Sequence, residues 1–303
     1  MKDLIWKKQD KAETDPAIME FLAGEDVKLD RELLLFDLQA STAHARGLAQ
    51  AGILDDDELG RIVDSMGLLE QQVRDGTRVL DARYEDGHSA IESWLTEMLG
   101  ELGGKIHTGR SRNDQVAVAL RLYMKDRLAR LHKTCVETAS VLLGRAEAEA
   151  DLPMPGYTHL QPAMPSSAGL WLAGHAEAFI DNAELATLTR RWLDACPLGT
   201  ASGFGVNLDL PREAVAEELG FSRVLLNPQY AQNSRGKVEL QALSALSAAT
   251  LDLRRLAWDL SLFVTHEFGF VRLPAQYCTG SSIMPNKNNP DTVELLRAGH
   301  GVV

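Results

Sequence analysis

Between Gly236 and Gly269 the chain runs for 32 residues without a glycine or a proline, and this punctuation constrains the fold more than any other feature. A second stretch, Asn113 to Ala150, holds no proline and only Gly144 among the glycines. A third, from about Ser166 to Leu193, is also free of proline. Glycine and proline are the residues that stop helices, so each stretch predicts one long helix. Leu243, Leu246, Leu253, Leu256, Leu260 and Phe263 recur along the last of them at helical spacing. The helix that opens at Asn113 or Asp114 would be roughly 50 Å long. Helices of this length need one another to bury their apolar stripes. The expected fold class is therefore all-α: an elongated long-helix bundle that self-associates, built over residues 106–303 behind a small N-terminal helical domain, residues 1–105. Composition agrees, because 45% of residues are hydrophobic and only 6% aromatic, a Leu- and Ala-rich mix suited to packed helices.

Shorter helices are expected in the N-terminal domain. Thr14-Asp15-Pro16 reads as a capped start to a helix near residues 17–22, and a longer helix runs from about Leu29 to Gln50, stopped at Gly52. Acids at 55–58 favour the next N-terminus, after which Leu59, Ile62, Val63, Met66, Leu69 and Val73 form a core stripe. Glu85-Asp86-Gly87-His88 opens a helix through about Leu99 with Ile91, Trp94, Leu95 and Met98 inward.

Three polar runs stand apart from this pattern. His107-Thr-Gly-Arg110-Ser111-Arg112-Asn113-Asp114 sets two arginines before a helix start. Two residues apart in an extended segment, both guanidinium groups would point the same way and suit a dicarboxylate; the alternative is a solvated basic loop paired with surplus acids. Gly156-Tyr-Thr158-His159-Leu-Gln161-Pro reads as a polar turn. Thr279-Gly-Ser281-Ser-Ile-Met-Pro-Asn-Lys287-Asn-Asn289-Pro-Asp291 begins small and flexible and ends as a helix start, with Asn289 at N-cap and Pro290 at N1. Free N–H groups and the positive end of that helix, beside Lys287, would hold a carboxylate or a developing oxyanion.

The last run resembles the signature loop of the fumarase/aspartase superfamily, whose members eliminate fumarate from succinyl-type substrates. The three runs together resemble the three signature regions of the argininosuccinate lyase family, with Arg110–Gln115 the most discriminating block. That resemblance implies an all-α fold assembled as a homotetramer in which the three regions, from three different subunits, meet at each active site. It implies reversible elimination of argininosuccinate to arginine and fumarate, in the cytoplasm, with no cofactor and no metal. By the same resemblance Ser281 is the base that takes the succinyl proton, and Lys287 stabilises the carbanion. Thr158, Ser111, Asn113 and Asn289 bind the fumarate half, with Arg112 and Gln161 in the same regions and His88 a pocket residue of the first domain. His159, paired with Glu294, assists protonation of the leaving group. The chemistry suits these types, since a proton alpha to a carboxylate is very weakly acidic and fixed positive charge must meet the dianion that forms.

The chain departs from the family at Ile5-Trp6-Lys7-Lys8-Gln9, where Gly-Gly-Arg-Phe is expected after tryptophan, at Phe21–Asp26, where a serine is absent, and at Met164, where glutamine is usual. Two alternatives stay open: a lyase acting on adenylosuccinate or malate, and a non-catalytic protein of the crystallin type. A net charge of −12 argues against nucleic acid and anionic membranes as partners, while leaving room for an anionic small molecule in a locally cationic cleft. The three cysteines, odd in number and widely spaced, fit a reducing compartment and no metal site. The last helix reaches Val303 after 14 residues, shorter than its expected partners, so the sequence reads as part of a longer chain.

Overall fold

The computed structural model describes residues 24–303 together with Ala17, Ile18 and Phe21. The cap expected at Thr14-Asp15-Pro16 and the run at Ile5–Gln9 lie outside the described residues. Two compact units divide the rest: the first holds the chain up to Lys125 and Leu193–Gly236, the second Asp126–Trp192 and Lys237–Val303.

In the first unit α1 (Asp26–Gln50), α2 (Asp56–Arg74) and α3 (Gly87–Leu99) pack together, followed by the short α4 (Glu101–Gly104) and a 3₁₀ turn. Each boundary has a local cause. Asp55 caps α2 by accepting from the Glu58 N–H, and the Glu58 carboxylate reaches back to the Asp55 N–H, a reciprocal capping box. Asp86 caps α3 through the Ser89 N–H. Gly52, at φ +72°, ends α1 in a Schellman arrangement, with the Ile53 N–H reaching Leu48 O and that of Gly52 reaching Ala49 O. The expected stripes of α2 (Ile62, Met66 and Leu69) and α3 (Ile91, Trp94 and Leu95) close one core with Leu34, Leu38 and Leu48 of α1. On its other face α1 sets Ala40 and Ala43 against Val118, Leu122, Val215 and Phe221. Here α7 (Arg212–Glu218) and α8 (Pro228–Asn233) belong to the returning segment; α6 is described with the second unit.

The long helix predicted from Asn113 or Asp114 to about Ala150 exists as α5 (Arg112–Ala148), 37 residues. In the second unit its later turns pack with α6 (Ala168–Trp192), and α6 packs with α9 (Lys237–Phe263). The inward face of α9 differs from the leucine stripe expected. Ala242, Ala245, Ala249 and Ala257 are buried, Leu253 and Leu256 are only partly so, and Leu243 is exposed. Small residues let helix backbones approach closely, which excludes the larger leucines from the innermost line. Gly169 of α6 marks a close approach to the end of α5: a Cβ there would lie 2.6 Å from Ala146 O and from Ala150 Cα.

Two expectations fail locally. The segment 153–167 is a hairpin of β1 (Pro153–Thr158) and β2 (Gln161–Ser167), not a turn alone, with a register shift at Gly156/Tyr157. Its prolines at 153, 155, 162 and 165 disguised the strands, yet a two-stranded ribbon has outer edges on which a missing N–H costs little. The final helix α10 (Asp291–Gly299) starts one residue later than predicted, with Pro290 in the cap position. Asn289 is withdrawn from capping because it pairs as β4 (Asn288–Asn289) with β3 (Thr279–Gly280).

Replacing Gly169 by alanine should lower stability by about 1–3 kcal/mol, since the added methyl must push α5 and α6 apart; an unchanged thermal midpoint would contradict the close approach. A second test concerns His44 on α1, buried and donating from Nε2 to Thr108 O at 2.9 Å. Burial, reinforced by the Arg110 charge, pushes its pKa from 6.5 down to about 3. The unfolded ring takes a proton as pH falls through 6.5 while the folded ring does not, so this group costs stability progressively below that pH. His44→Gln should therefore flatten the acid-side loss of unfolding free energy by about 1.4 kcal/mol per pH unit. Equal slopes in denaturant titrations of the two proteins would refute this.

Candidate active site

The arginine pair before α5 divides its labour. Arg110 turns inward and is buried, its Nη1 donating to Ser41 Oγ at 2.8 Å. Arg112, the first residue of α5, stays half-exposed, with Nη1 at 3.2 Å from both Glu85 Oε2 and Asp86 Oδ2 and Nη2 donating to Ser89 Oγ at 3.0 Å. The parallel arginine fork expected from an extended segment is therefore absent. Helix α5 begins at Arg112, so the two side chains leave the backbone in different conformations, and the acids of the α3 cap hold one while the core holds the other. This joins the N-termini of α3 and α5 through Arg112.

Beside it, Ser111 N–H donates to Asp114 Oδ1 at 2.9 Å, and Ser111 Oγ accepts from Asn113 N at 3.3 Å. The Asn113 amide oxygen is 3.5 Å from Arg235 Nη1, at the limit of a hydrogen bond. Asp114 is buried and accepts through Oδ2 from the N–H groups of Gly199 and Ala201 at 3.0 and 2.8 Å, which ties the glycine-rich segment after Pro197 to the start of α5. Burial raises the Asp114 pKa above the usual carboxylate value against these three N–H donors.

His88 lies in the first turn of α3, between Asp86 and Ser89, both of which Arg112 engages. Its Nδ1 is 2.6 Å from Asp37 Oδ2. Asp37 was not singled out from the sequence, although a signal existed: Asp37, Ser41 and His44 follow an i, i+4, i+7 spacing that places three polar groups on one buried line of α1. His107, half-buried near Glu92, has its pKa lowered by burial and by Arg110.

In the second unit Thr158, His159 and Gln161 gather at the hairpin tip, where Thr158 pairs with Gln161. His159 and Leu160 form the connecting two residues, with φ values of +53° and +58°. Positive φ at both positions is the signature of a tight hairpin turn, and it leaves all three side chains exposed. Tyr157 anchors the ribbon by packing edge-on to Phe268, with ring centroids 5.5 Å apart.

The signature loop is closed by the β3–β4 ladder, Thr279 opposite Asn289 and Gly280 opposite Asn288. A hydrogen bond from Thr279 to Asp291 ties that ladder to α10. Ser281 Oγ accepts from the N–H groups of Met284 at 3.2 Å and Ile283 at 3.4 Å. Donors directed at an oxygen favour its anionic form, so these two N–H groups would ease loss of the Ser281 proton. A turn closed by the Lys287 N–H and Met284 O at 3.0 Å precedes β4 and leaves the Lys287 side chain exposed. Glu294 is exposed on α10, and among the described residues no ion pair joins it to His159 within the chain. No group of three or more His, Cys, Asp or Glu side chains suited to a metal occurs among the described residues, and no helix there is long and apolar enough to cross a membrane.

Comparison with known proteins places the chain in a family. A family model described as Lyase matches residues 10–303. An argininosuccinate lyase of Stenotrophomonas maltophilia (strain R551-3) is 61% identical over the whole of this chain, which spans 70% of that relative. One from Xanthomonas euvesicatoria pv. vesicatoria (strain 85-10) is 60% identical over the same shares. Among solved structures, a variant of EDDS lyase with bound fumarate superposes with a TM-score of 0.82 at 26% identity, over 97% of this chain and 58% of that one. A fumarate lyase/delta crystallin protein from Brucella melitensis, bound to cobalt, shares the fold with a TM-score of 0.77 at 20% identity, over 90% of this chain and 65% of that one. The chain thus belongs to the lyase family that the model describes and, within it, to the argininosuccinate lyases.

Proposed function

We propose that the protein catalyses the reversible elimination of argininosuccinate to arginine and fumarate, in the cytoplasm and without a cofactor, as a homotetramer with shared sites. The observation that carries the catalytic roles is the signature loop, which gives Ser281 Oγ two N–H donors and presents Lys287 on the same closed turn. Ser281 takes a proton from the succinyl methylene, the carbon next to the one bonded to the guanidino nitrogen and itself alpha to a carboxylate. The electron pair left behind forms the carbon–carbon double bond of fumarate as the bond to the guanidino nitrogen breaks. That nitrogen receives a proton, so charge and atoms balance. Lys287 and the amide of Asn289 would meet the carboxylate on which negative charge builds up, where fixed donors count most. Arg112, Ser111 and Asn113 supply further donors for the fumarate half, and Thr158 and Gln161 bind it from the hairpin. His159 protonates the leaving group with Glu294 as its acid partner, a pairing that neighbouring subunits would complete.

Assembly has its own support. On the long helices of the second unit Val141, Leu170 and Leu240 each expose about two-thirds of their surface. Apolar side chains so arranged along helices are surfaces for other helices, which copies of the same chain would provide.

Ser281→Ala and Lys287→Met should each lower kcat by at least about 10²-fold, the scale of losing one transition-state donor, with helix content unchanged. Near-normal turnover in either variant would refute its role. Turnover of adenylosuccinate in place of argininosuccinate, followed by fumarate absorbance, would overturn the substrate assignment. Inactive Ser281→Ala and Thr158→Val proteins, mixed under conditions of subunit exchange, should regain activity because some sites would draw both intact residues from different chains. Verified mixed assemblies that stay inactive would argue for sites within one chain.

A further inference from the structure

We infer that Asp37 is a positioning residue for His88, fixing the ring so that Nε2, and not Nδ1, meets the ligand. The inference rests on the reading of His88 as a residue of the substrate pocket. Its geometry is on α1 and α3. His88 Nδ1 and Asp37 Oδ2 are 2.6 Å apart, both side chains are buried, and the bond commits Nδ1 as donor. The other carboxylate oxygen, Oδ1, accepts from Gln115 Nε2 at 3.3 Å and from Ser41 Oγ at 3.4 Å. Ser41 in turn is held by Arg110 Nη1 at 2.8 Å. The carboxylate is thus gripped from its own helix, from α3 and from α5, and has little freedom to rotate.

The backbone is held as well as the ring. Gly87 N–H donates to Asp30 Oδ2 at 2.8 Å, and Asp30 and Asp37 lie two turns apart on the same side of α1. One acid therefore sets the start of α3 and the other orients the imidazole one residue later. A carboxylate behind a histidine is a recurrent way to select its tautomer and hold it in place. Stability alone is a weak reason for such a pair beside a well-packed apolar core, because buried ion pairs are often neutral compared with hydrophobic replacements.

Charge on the ring follows from the same neighbours. Burial works against the imidazolium and is the largest influence on His88; Asp37, with Asp86 and Asp30 behind it, outweighs burial and raises the pKa above 6.5. Arg110 faces Asp37 and helps to keep it ionised, and Gln115 adds a neutral donor. Protonated in this way, Nε2–H would offer a charged donor suited to a substrate carboxylate.

The test uses the assembled enzyme with Asp37→Asn, His88→Asn and the double variant, measuring fumarate release across pH. Asp37→Asn should lower kcat/KM by about 10–100-fold and move the His88-dependent limb of the pH profile to lower pH. The double variant should be no worse than His88→Asn, since Asp37 acts through that ring. Multiplicative losses, or an Asp37→Asn protein with a lowered melting point but normal kinetics and pH profile, would overturn the inference. Wild-type behaviour of His88→Asn would overturn the pocket reading along with it. An impaired His88→Asn beside a normal Asp37→Asn would overturn this inference alone. Should asparagine at 37 prevent folding, Gln115→Leu loosens the same carboxylate and should move the limb in the same direction; an unmoved limb in that variant refutes the role.

Discussion

A carboxylate and a guanidinium, Asp37 and Arg110, are both buried in the first unit, and the helices around them are constrained by that fact. Each charge carries a large desolvation cost unless polar partners surround it, so the partners must arrive from defined places. Asp37 draws His88 from α3 and Gln115 from α5; Arg110 reaches Ser41 on α1. Sliding one of these helices by a turn would strand a buried charge. The network also sorts two histidines. His44 is kept neutral by burial and by Arg110, whereas the acids around His88 hold its pKa up. Two residues with one ordinary pKa thus take opposite protonation preferences because they face different neighbours.

The candidate catalytic groups sit where regular structure begins or ends. Arg112 ties the starts of α3 and α5 together, Asp114 receives the backbone N–H groups of 199 and 201, and Ser281 receives those of 283 and 284. Helix and strand termini leave backbone groups without internal partners, and these are the groups free to meet a ligand or to tune a side chain. A helix of 37 residues contributes rigidity, so the Ser111–Asn113 segment is attached to an element that cannot easily flex.

In the second unit packing and exposure divide the apolar residues by size. Alanines take the line between α6 and α9 and allow close approach, while many of the bulky aliphatic side chains face outward. The hairpin and the signature loop are short ribbons braced beside the helices: Tyr157 packs on Phe268, just beyond the end of α9, and Thr279 bonds to Asp291 at the start of α10. Both expose their polar tips, as elements that meet a ligand require.

Sequence alone determined the helical class, because glycine and proline punctuation and apolar spacing act through chain neighbours within a turn or two. It also located the starts of α2 and α3 and the blocks around Arg110, Thr158 and Ser281, whose residue order is itself the signal; that Asp55 and Asp86 are the capping residues came from the structure. Tertiary structure decided which arginine faces inward, that Asp37 stands behind His88, that alanine lines the α9 interface, and that proline-rich residues 153–167 form a hairpin. The reason is distance along the chain. The His88–Asp37 bond spans 51 residues and the Gln115–Asp37 bond 78. No local propensity records such a pairing, and only the packing of α1, α3 and α5 brings those groups within hydrogen-bonding reach.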